Sequence, residues 1–464
     1  MKMKKVLSII MAAAIGMGLL GGCGESKTTN AGETVVVVGN WPDSEAMPDL
    51  YESMMKLKEE FETKNPGVII EGDSWAYDTE TFAAKAEGGT LPTIYNTFAT
   101  ESQKIMELGY AADITDQMKK FGYYDTLSEQ IMNEVSDDGK VYIIPRSVYT
   151  LGLVMNLNLF REAGLMNADG TPIFPETFDD VRSMAKTITE KTGKAGFLFP
   201  TTSEAGGWNF TSLAWSFGGE FMKETEKGWV ADFNDGTTAA LQLLKDMRWK
   251  DKSLPETTLI NNAESMKLIG TDQAAMAFAH PGQLALLTSQ YGMSTDDIGY
   301  AKMPKGPAAH VTLLGGDYTA FAPNATPEQI EAGFKWLEFT GVTPAHELTD
   351  EVKESVRNSI KMMLEGNRIV GIKDISIWTD KDVTQKYRDE ITEENRNIPE
   401  KNISSYNDKT GLEFRTEEKV CAQDLYSLLD GCIQEVLTNE NADPKTILKK
   451  AESDFQNNFL NKVK

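Results

Sequence analysis

Val35, Val36, Val37 and Val38 form a continuous β-branched run, the pattern of a strand buried on both faces of a parallel sheet. Apolar positions then recur at Leu50, Met54, Leu57 and Phe61, one stripe of a helix that Asn65-Pro66-Gly67 ends, and Val68-Ile69-Ile70 supplies a second strand. The alternation continues with a helix over residues 79–87, a short strand over 93–97 and a helix starting near Glu101. Further on, Thr177-Phe178-Asp179-Asp180 reads as a capping box leading into Val181, Met184, Ala185 and Ile188, with Gly193 stopping that helix before a strand over 196–199. Thr326-Pro327-Glu328-Gln329 caps another helix, with Ile330, Phe334 and Leu337 on its face and Gly341 beyond. Strands alternating with capped helices predict an α/β fold.

Residues 374–411 are polar, charge-rich and weakly periodic, and read as a connecting excursion. Helical runs over 416–437 and 444–459 close the chain. If Cys421 and Cys432 share the first of these helices, a rise of about 1.5 Å per residue separates them by about 16 Å. A disulfide spans roughly 4.4 to 6.8 Å, so both read as small core residues.

The N-terminal pattern differs from the rest. Lys2, Lys4 and Lys5 precede a mostly apolar run over residues 6–20, shorter than the roughly 20 residues a membrane span needs, so the segment reads as a secretory signal. Leu20-Gly21-Gly22-Cys23 follows and resembles the lipobox of bacterial lipoproteins, which implies cleavage before Cys23 and lipidation of its thiol. Residues 1–22 would then be the signal peptide and 23–32 a small, polar tether. The rest is long enough for about two domains. With 46 basic against 70 acidic residues, the formal net charge is −24. Nucleic acid is excluded as a partner on this ground, because phosphate contacts need clustered Lys and Arg, and the acidity reads as surface solubility.

A series of motifs brings in a resemblance. Asp138-Gly139-Lys140-Val141-Tyr142-Ile143-Ile144-Pro145 leads into Val148 through Asn156, then Leu159-Phe160-Arg161-Glu162-Ala163-Gly164-Leu165. Pro175-Glu176-Thr177-Phe178, Ala274-Ala275-Met276-Ala277-Phe278, Met303-Pro304-Lys305-Gly306-Pro307 and Gly315-Gly316-Asp317-Tyr318 follow in order. This ordered set resembles the sugar-binding type of extracellular solute-binding proteins of bacterial ABC importers. His280-Pro281-Gly282-Gln283 stands where that family usually has an aromatic, and Arg146 where many members have a small or aromatic residue. The resemblance implies a two-lobed, periplasmic-binding-protein-like α/β fold with a ligand cleft between the lobes. Carried onto this chain, lobe one is residues 33–147 plus 317–405 and lobe two is 148–316 plus 406–464. It further implies a monomer that works with ABC permease subunits at the extracellular face of the cell membrane, touching that membrane only through its lipid.

In open α/β sheets, ligands bind beyond the carboxyl ends of the strands. That rule points to Asn40, Trp41, Trp75, Phe98 and Glu101, and later to Trp208, His280 and Gln283, while Arg146, Tyr149, Asp317 and Tyr318 lie near the segments expected to cross between lobes. Flat aromatics mixed with hydrogen-bonding groups suit a sugar, whose C–H faces stack on rings while its hydroxyls meet carboxylates, amides and guanidinium. The histidines are His280, His310 and His346, and HExxH, CxxC, GxSxG, P-loop and dinucleotide patterns are absent from the sequence. Asp232-Phe233-Asn234-Asp235-Gly236 touches a calcium-loop pattern but lacks its spacing and distal Glu, so it reads as a turn. The expectation is a sugar-binding protein with no metal, no cofactor and no catalytic residues. The rivals are a surface glycoside hydrolase, which needs two suitably spaced carboxylates, an adhesin or sensor subunit that uses the same fold without transport, and a binding protein for a peptide or polyamine.

Overall fold

The structure is a computed structural model that describes residues 32–78, 81–342, 347–373, 375, 377–379 and 383–463. Cys23, the expected signal and tether before residue 32, and His346 lie outside the described residues. The chain divides into two units, Met1–Glu33 and Thr34–Lys464, and all elements below belong to the second.

The β-branched run becomes strand Thr34–Val38, paired in parallel with Val68–Gly72 and, at Val38, with Ile94–Phe98. Helix Pro48–Lys64 connects the first two, with a proline in its first turn, where the missing N–H costs nothing. It buries Leu57 and Phe61, and the Phe61 ring meets Trp336 edge-on at 5.2 Å. Trp336 belongs to helix Pro327–Phe339, whose Thr326–Gln329 capping box forms as the sequence predicts.

One long strand, Val311–Phe321, organises the rest of this sheet. Its second half pairs antiparallel with Ile94–Phe98, its first half pairs in parallel with Glu413–Thr416, and its other edge takes Ile143–Thr150. The register of the last pairing shifts between Asp317 and Tyr318, so Arg146 is the extra residue of a bulge. A single residue, Leu151, separates Ile143–Thr150 from strand Gly152–Asn156, which is the centre of a second, antiparallel sheet between Met276–Ala279 and Ile298–Lys302. The backbone therefore passes from one sheet directly into the other.

Three apolar clusters fill the fold. One packs around the first sheet and contains Val36, Phe61, Ile94, Phe321 and Trp336. A second joins Gly152–Asn156 and helix Phe178–Thr192 to helices Ala205–Ser216, Asp235–Trp249, Ala422–Thr438 and Pro444–Asn458. The third lies on the other face of the second sheet and includes Tyr300, Ile369, Ile398, Ile403 and Tyr406.

Three local expectations are corrected. Residues 196–199 form no strand, although Phe197, Leu198 and Phe199 are buried. Gly196 and Phe197 both donate to the Ser253 carbonyl while Leu198 donates to that of Met276, so the segment is pinned without a ladder. The excursion after residue 374 holds helices Thr384–Glu394 and Glu400–Asn407, the second lying against Ile298–Lys302. The C-terminal helix expected from 416 begins only at Ala422. Strand Glu413–Thr416 precedes it, and Cys421 caps it in a left-handed conformation (φ 52°), half-buried, while Cys432 is buried within it.

Candidate functional site

A cavity of about 300 Å³ lies among the sheet ends and the first turns of four helices. On one side stand Tyr77, Asp78 and Phe98, from the loop after Val68–Gly72 and the end of Ile94–Phe98. Facing them are Trp208, His280, Gln283, Glu417, Gln423 and Tyr426, with Tyr149 and Gly316 from the crossing strands at the base.

Backbone contact sets Trp208 beside Tyr426. A Cβ on Gly207 would lie 2.3 Å from the Tyr426 backbone, and one on Gly206 would lie 2.5 Å from the Asp430 carboxylate. Only glycines allow helix Ala205–Ser216 to approach helix Ala422–Thr438 so closely. Asp430 Oδ1 then accepts the Gly207 N–H at 2.7 Å, taking one of the donors that a helix start leaves unpaired. Burial pushes the Asp430 carboxyl up to about 6, against the backbone N–H groups that favour its charge.

His280 caps helix Pro281–Ser289. Its Nδ1 accepts the Gly282 N–H at 3.2 Å, and its own N–H donates to Gln283 Oε1 at 3.0 Å. The imidazole stacks on Tyr149 with centroids 4.4 Å apart, and the Trp208 ring stands edge-on to both. Burial lowers its pKa to about 4, so the ring is neutral near pH 7 and, with Nδ1 accepting, carries its proton on Nε2.

Glu417 enters from the carboxyl end of Glu413–Thr416. Tyr426 Oη donates to its Oε1 at 3.1 Å and the Trp208 indole also donates to it. Burial pushes the carboxyl up to about 7, with Glu134 and Glu101 adding to the rise.

Of the residues singled out from sequence, Phe98, Tyr149, Trp208, His280 and Gln283 line the cavity. Glu101 stands behind the wall, 4% exposed, and its Oε2 accepts from Tyr77 Oη at 2.7 Å, so it positions a lining residue. Asp317 accepts from Ser147 at 3.4 Å, and Arg146 donates to Asn96 Oδ1 at 3.1 Å, neither reaching the lining. Arg146 is open to solvent yet surrounded by protein, as on a cleft wall, and desolvation lowers its pKa with Asp317 opposing. Tyr318 is 1% exposed and points away, donating to Glu134 Oε2 at 2.6 Å.

Asn40, Trp41 and Trp75 are not on the wall. The Asn40 N–H donates to the Trp75 carbonyl and the Trp41 N–H to that of Asp73, so the loops after the first two strands bond to each other. That pairing turns Trp41 inward onto Trp336, centroids 6.1 Å apart, while Trp75 stacks on Phe82. Tyr77, Asp78, Ser203, Glu204, Asn262, Glu417, Gln423 and Tyr426 escaped the sequence reading. The strand-end rule covers Tyr77, which lies two residues beyond Trp75 in the same loop. It would also have found Glu417 had Glu413–Thr416 been recognised as a strand.

A family model described as bacterial extracellular solute-binding protein matches residues 45–341. The chain belongs to that family. No curated protein matches it. Solved structures give the same fold at low identity. The GacH receptor of Streptomyces glaucescens is 16% identical with a TM-score of 0.69, over 93% of this chain and 100% of that one. Maltose-bound MalE3 of T. maritima is 17% identical with a TM-score of 0.66, over 91% and 99%. UgpB of Mycobacterium tuberculosis, in complex with glycerophosphocholine, is 14% identical with a TM-score of 0.68, over 92% and 98%. This extracellular solute-binding protein is therefore a two-lobed α/β protein, and among its described residues no helix is long and apolar enough to cross a membrane.

Proposed function

We propose that this solute-binding protein is the lipid-anchored, extracellular receptor of an ABC importer, and that it captures a carbohydrate in the cavity without turning it over. The observation that carries the reading is the wall itself. Five aromatic side chains and one imidazole stand among carboxylates and amides around one cavity, which matches a polyhydroxylated solute with apolar C–H faces. Its volume lies at the lower end of the roughly 300 to 1,000 Å³ usual for small-molecule sites, which favours a short saccharide. Several structures of like fold carry sugars, including the maltose-bound MalE3 and an ABC transporter binding protein from Thermotoga lettingae holding α-D-tagatose. Cys23 would carry the lipid, and the lobes would meet through the crossings near residues 147–150 and 314–317. The packing of helix Glu400–Asn407 on Ile298–Lys302 favours assigning that helix to lobe two, so the lobe boundary near 405 would move before residue 398.

A thermal-shift screen over mono- and oligosaccharides tests the binding. A ligand at 100 times its Kd stabilises by about 2.7 kcal/mol, a shift of a few degrees. Chromatography of the incubated sugar should show no products. A panel in which no saccharide raises Tm, or reproducible cleavage, would sink the reading. The anchor is tested separately: Cys23→Ala should release the protein from the membrane fraction, and retention with normal maturation would remove the lipoprotein assignment.

A further inference from the structure

The cavity wall has a charge pattern that the carbohydrate reading does not use. Of its fifteen lining residues, Asp78, Glu204 and Glu417 carry carboxyl groups and none is Lys or Arg. The nearby cations do not line the cavity: Lys104 pairs with Glu101 at 3.3 Å, and Arg146, on the cleft beside it, donates to Asn96 Oδ1 and faces Asp317. Arg368 is close enough to His280 to oppose its protonation, yet it does not line the cavity.

Glu417 sharpens the pattern. Its hydrogen bonds come from neutral groups, Tyr426 and Trp208, and among the described residues no Lys or Arg forms an ion pair with it. The titratable groups that face it are Glu101 and Glu134, which repel its charge, and Tyr149, Tyr318 and Tyr426, whose hydroxyls are all pushed above their ordinary range and stay neutral. Buried carboxylates are normally paired, because desolvation without a counter-charge is costly. Around this one stand π faces rather than cations. Tyr149, Trp208 and His280 form one wall, and Tyr77 and Phe98, centroids 5.4 Å apart, form the other. Such faces attract positive charge. A neutral saccharide would leave the Glu417 carboxyl buried in the cavity wall with hydrogen bonds from neutral groups alone.

We infer that the solute bound in this cavity carries a protonated amine, as an amino sugar or a basic glycoside does, and that Glu417 is its counter-ion. The inference rests on the cavity being the ligand site. Linkage gives it a second signature. Glu417 titrates near pH 7 in the free protein, and a bound cation favours its ionised form. Binding then releases a proton, and the affinity for a permanently charged ligand rises from about pH 6 to about pH 8.

Titration calorimetry at about pH 6, where amino-sugar amines are protonated, should compare a glucosamine oligosaccharide with its N-acetylated counterpart, with choline and spermidine as non-sugar amines. The expected result is that the free amine binds at least about tenfold more tightly than the acetylated form. Glu417→Gln should narrow that difference to a few-fold, and Glu204→Gln should narrow it less. Thermal unfolding confirms that each variant folds. The pH-dependent rise should appear with choline, whose charge does not titrate. Equal or tighter binding of the acetylated sugar overturns the inference and leaves the carbohydrate reading standing. Binding of choline or spermidine with neither sugar keeps the charge inference and overturns the carbohydrate reading. Failure of every amine-bearing probe to bind overturns the inference.

Discussion

Trp41 and Trp208 show how position within a loop decides what a residue does. Both are aromatic residues that follow strands or extended segments, and both suit a sugar platform by type. Trp41 is 6% exposed and its ring lies 2.3 Å from where a Cβ on Gly72 would stand, so the neighbouring strand has no side chain at that point and the indole fills the gap. Trp208 sits in the first turn of its helix, with its indole on Glu417 and its ring beside His280. The two alanine variants should therefore separate stability from binding. Trp41→Ala should cost about 3 to 5 kcal/mol in unfolding free energy, as large-to-small core changes do, while the ligand Kd stays within about twofold. Trp208→Ala should raise Kd by about tenfold or more with a smaller loss of stability. Denaturant unfolding and calorimetry on both proteins measure this. A Trp41→Ala protein that is fully stable but no longer binds would place Trp41 in the site after all.

At the scale of elements, what was legible followed from local pattern, and what was not depended on pairing between distant segments. The valine run, the stripe of Leu57 and Phe61 and the capping boxes at Thr177 and Thr326 each specify their element within a few residues, and each forms. Strand Glu413–Thr416 has a polar sequence and exists because its backbone pairs with Val311–Leu314, so nothing local announces it, and Glu417 was missed with it. The double glycine shows the same limit. Neither Gly315 nor Gly316 has a positive φ. A Cβ on Gly315 would stand 2.7 Å from the Tyr149 ring, and one on Gly316 would stand 2.7 Å from the Tyr318 ring. These glycines let two tyrosines lie flat on the crossing strand, one toward the cavity and one toward Glu134. Packing of side chain on backbone requires glycine at both positions.

The whole molecule joins its two sheets through few connections. Backbone passes between them where Ile143–Thr150 runs into Gly152–Asn156 and along Val311–Phe321. Side chains add ties: Gln423 Nε2 donates to Thr100 Oγ1 at 3.0 Å beside the cavity, and Thr288 and Asn367 exchange hydrogen bonds with each other's carbonyls at 2.6 and 2.9 Å. Each core is continuous on its own side, so a small rotation of the crossing strands can move the walls while both cores stay packed. A ligand touching both Phe98 and Trp208 makes all its contacts only when the walls are close. Its differential affinity therefore favours the closed form. Small-angle scattering at saturating ligand should give a smaller radius of gyration than the free protein gives. Gln423→Ala removes the bond beside the cavity, so it should weaken binding by a few-fold while the bound state keeps the same radius, because the lost tie shifts the open–closed balance and leaves the aromatic wall intact. An unchanged radius on binding that calorimetry proves would mean a rigid cleft, with the solute held by one wall alone.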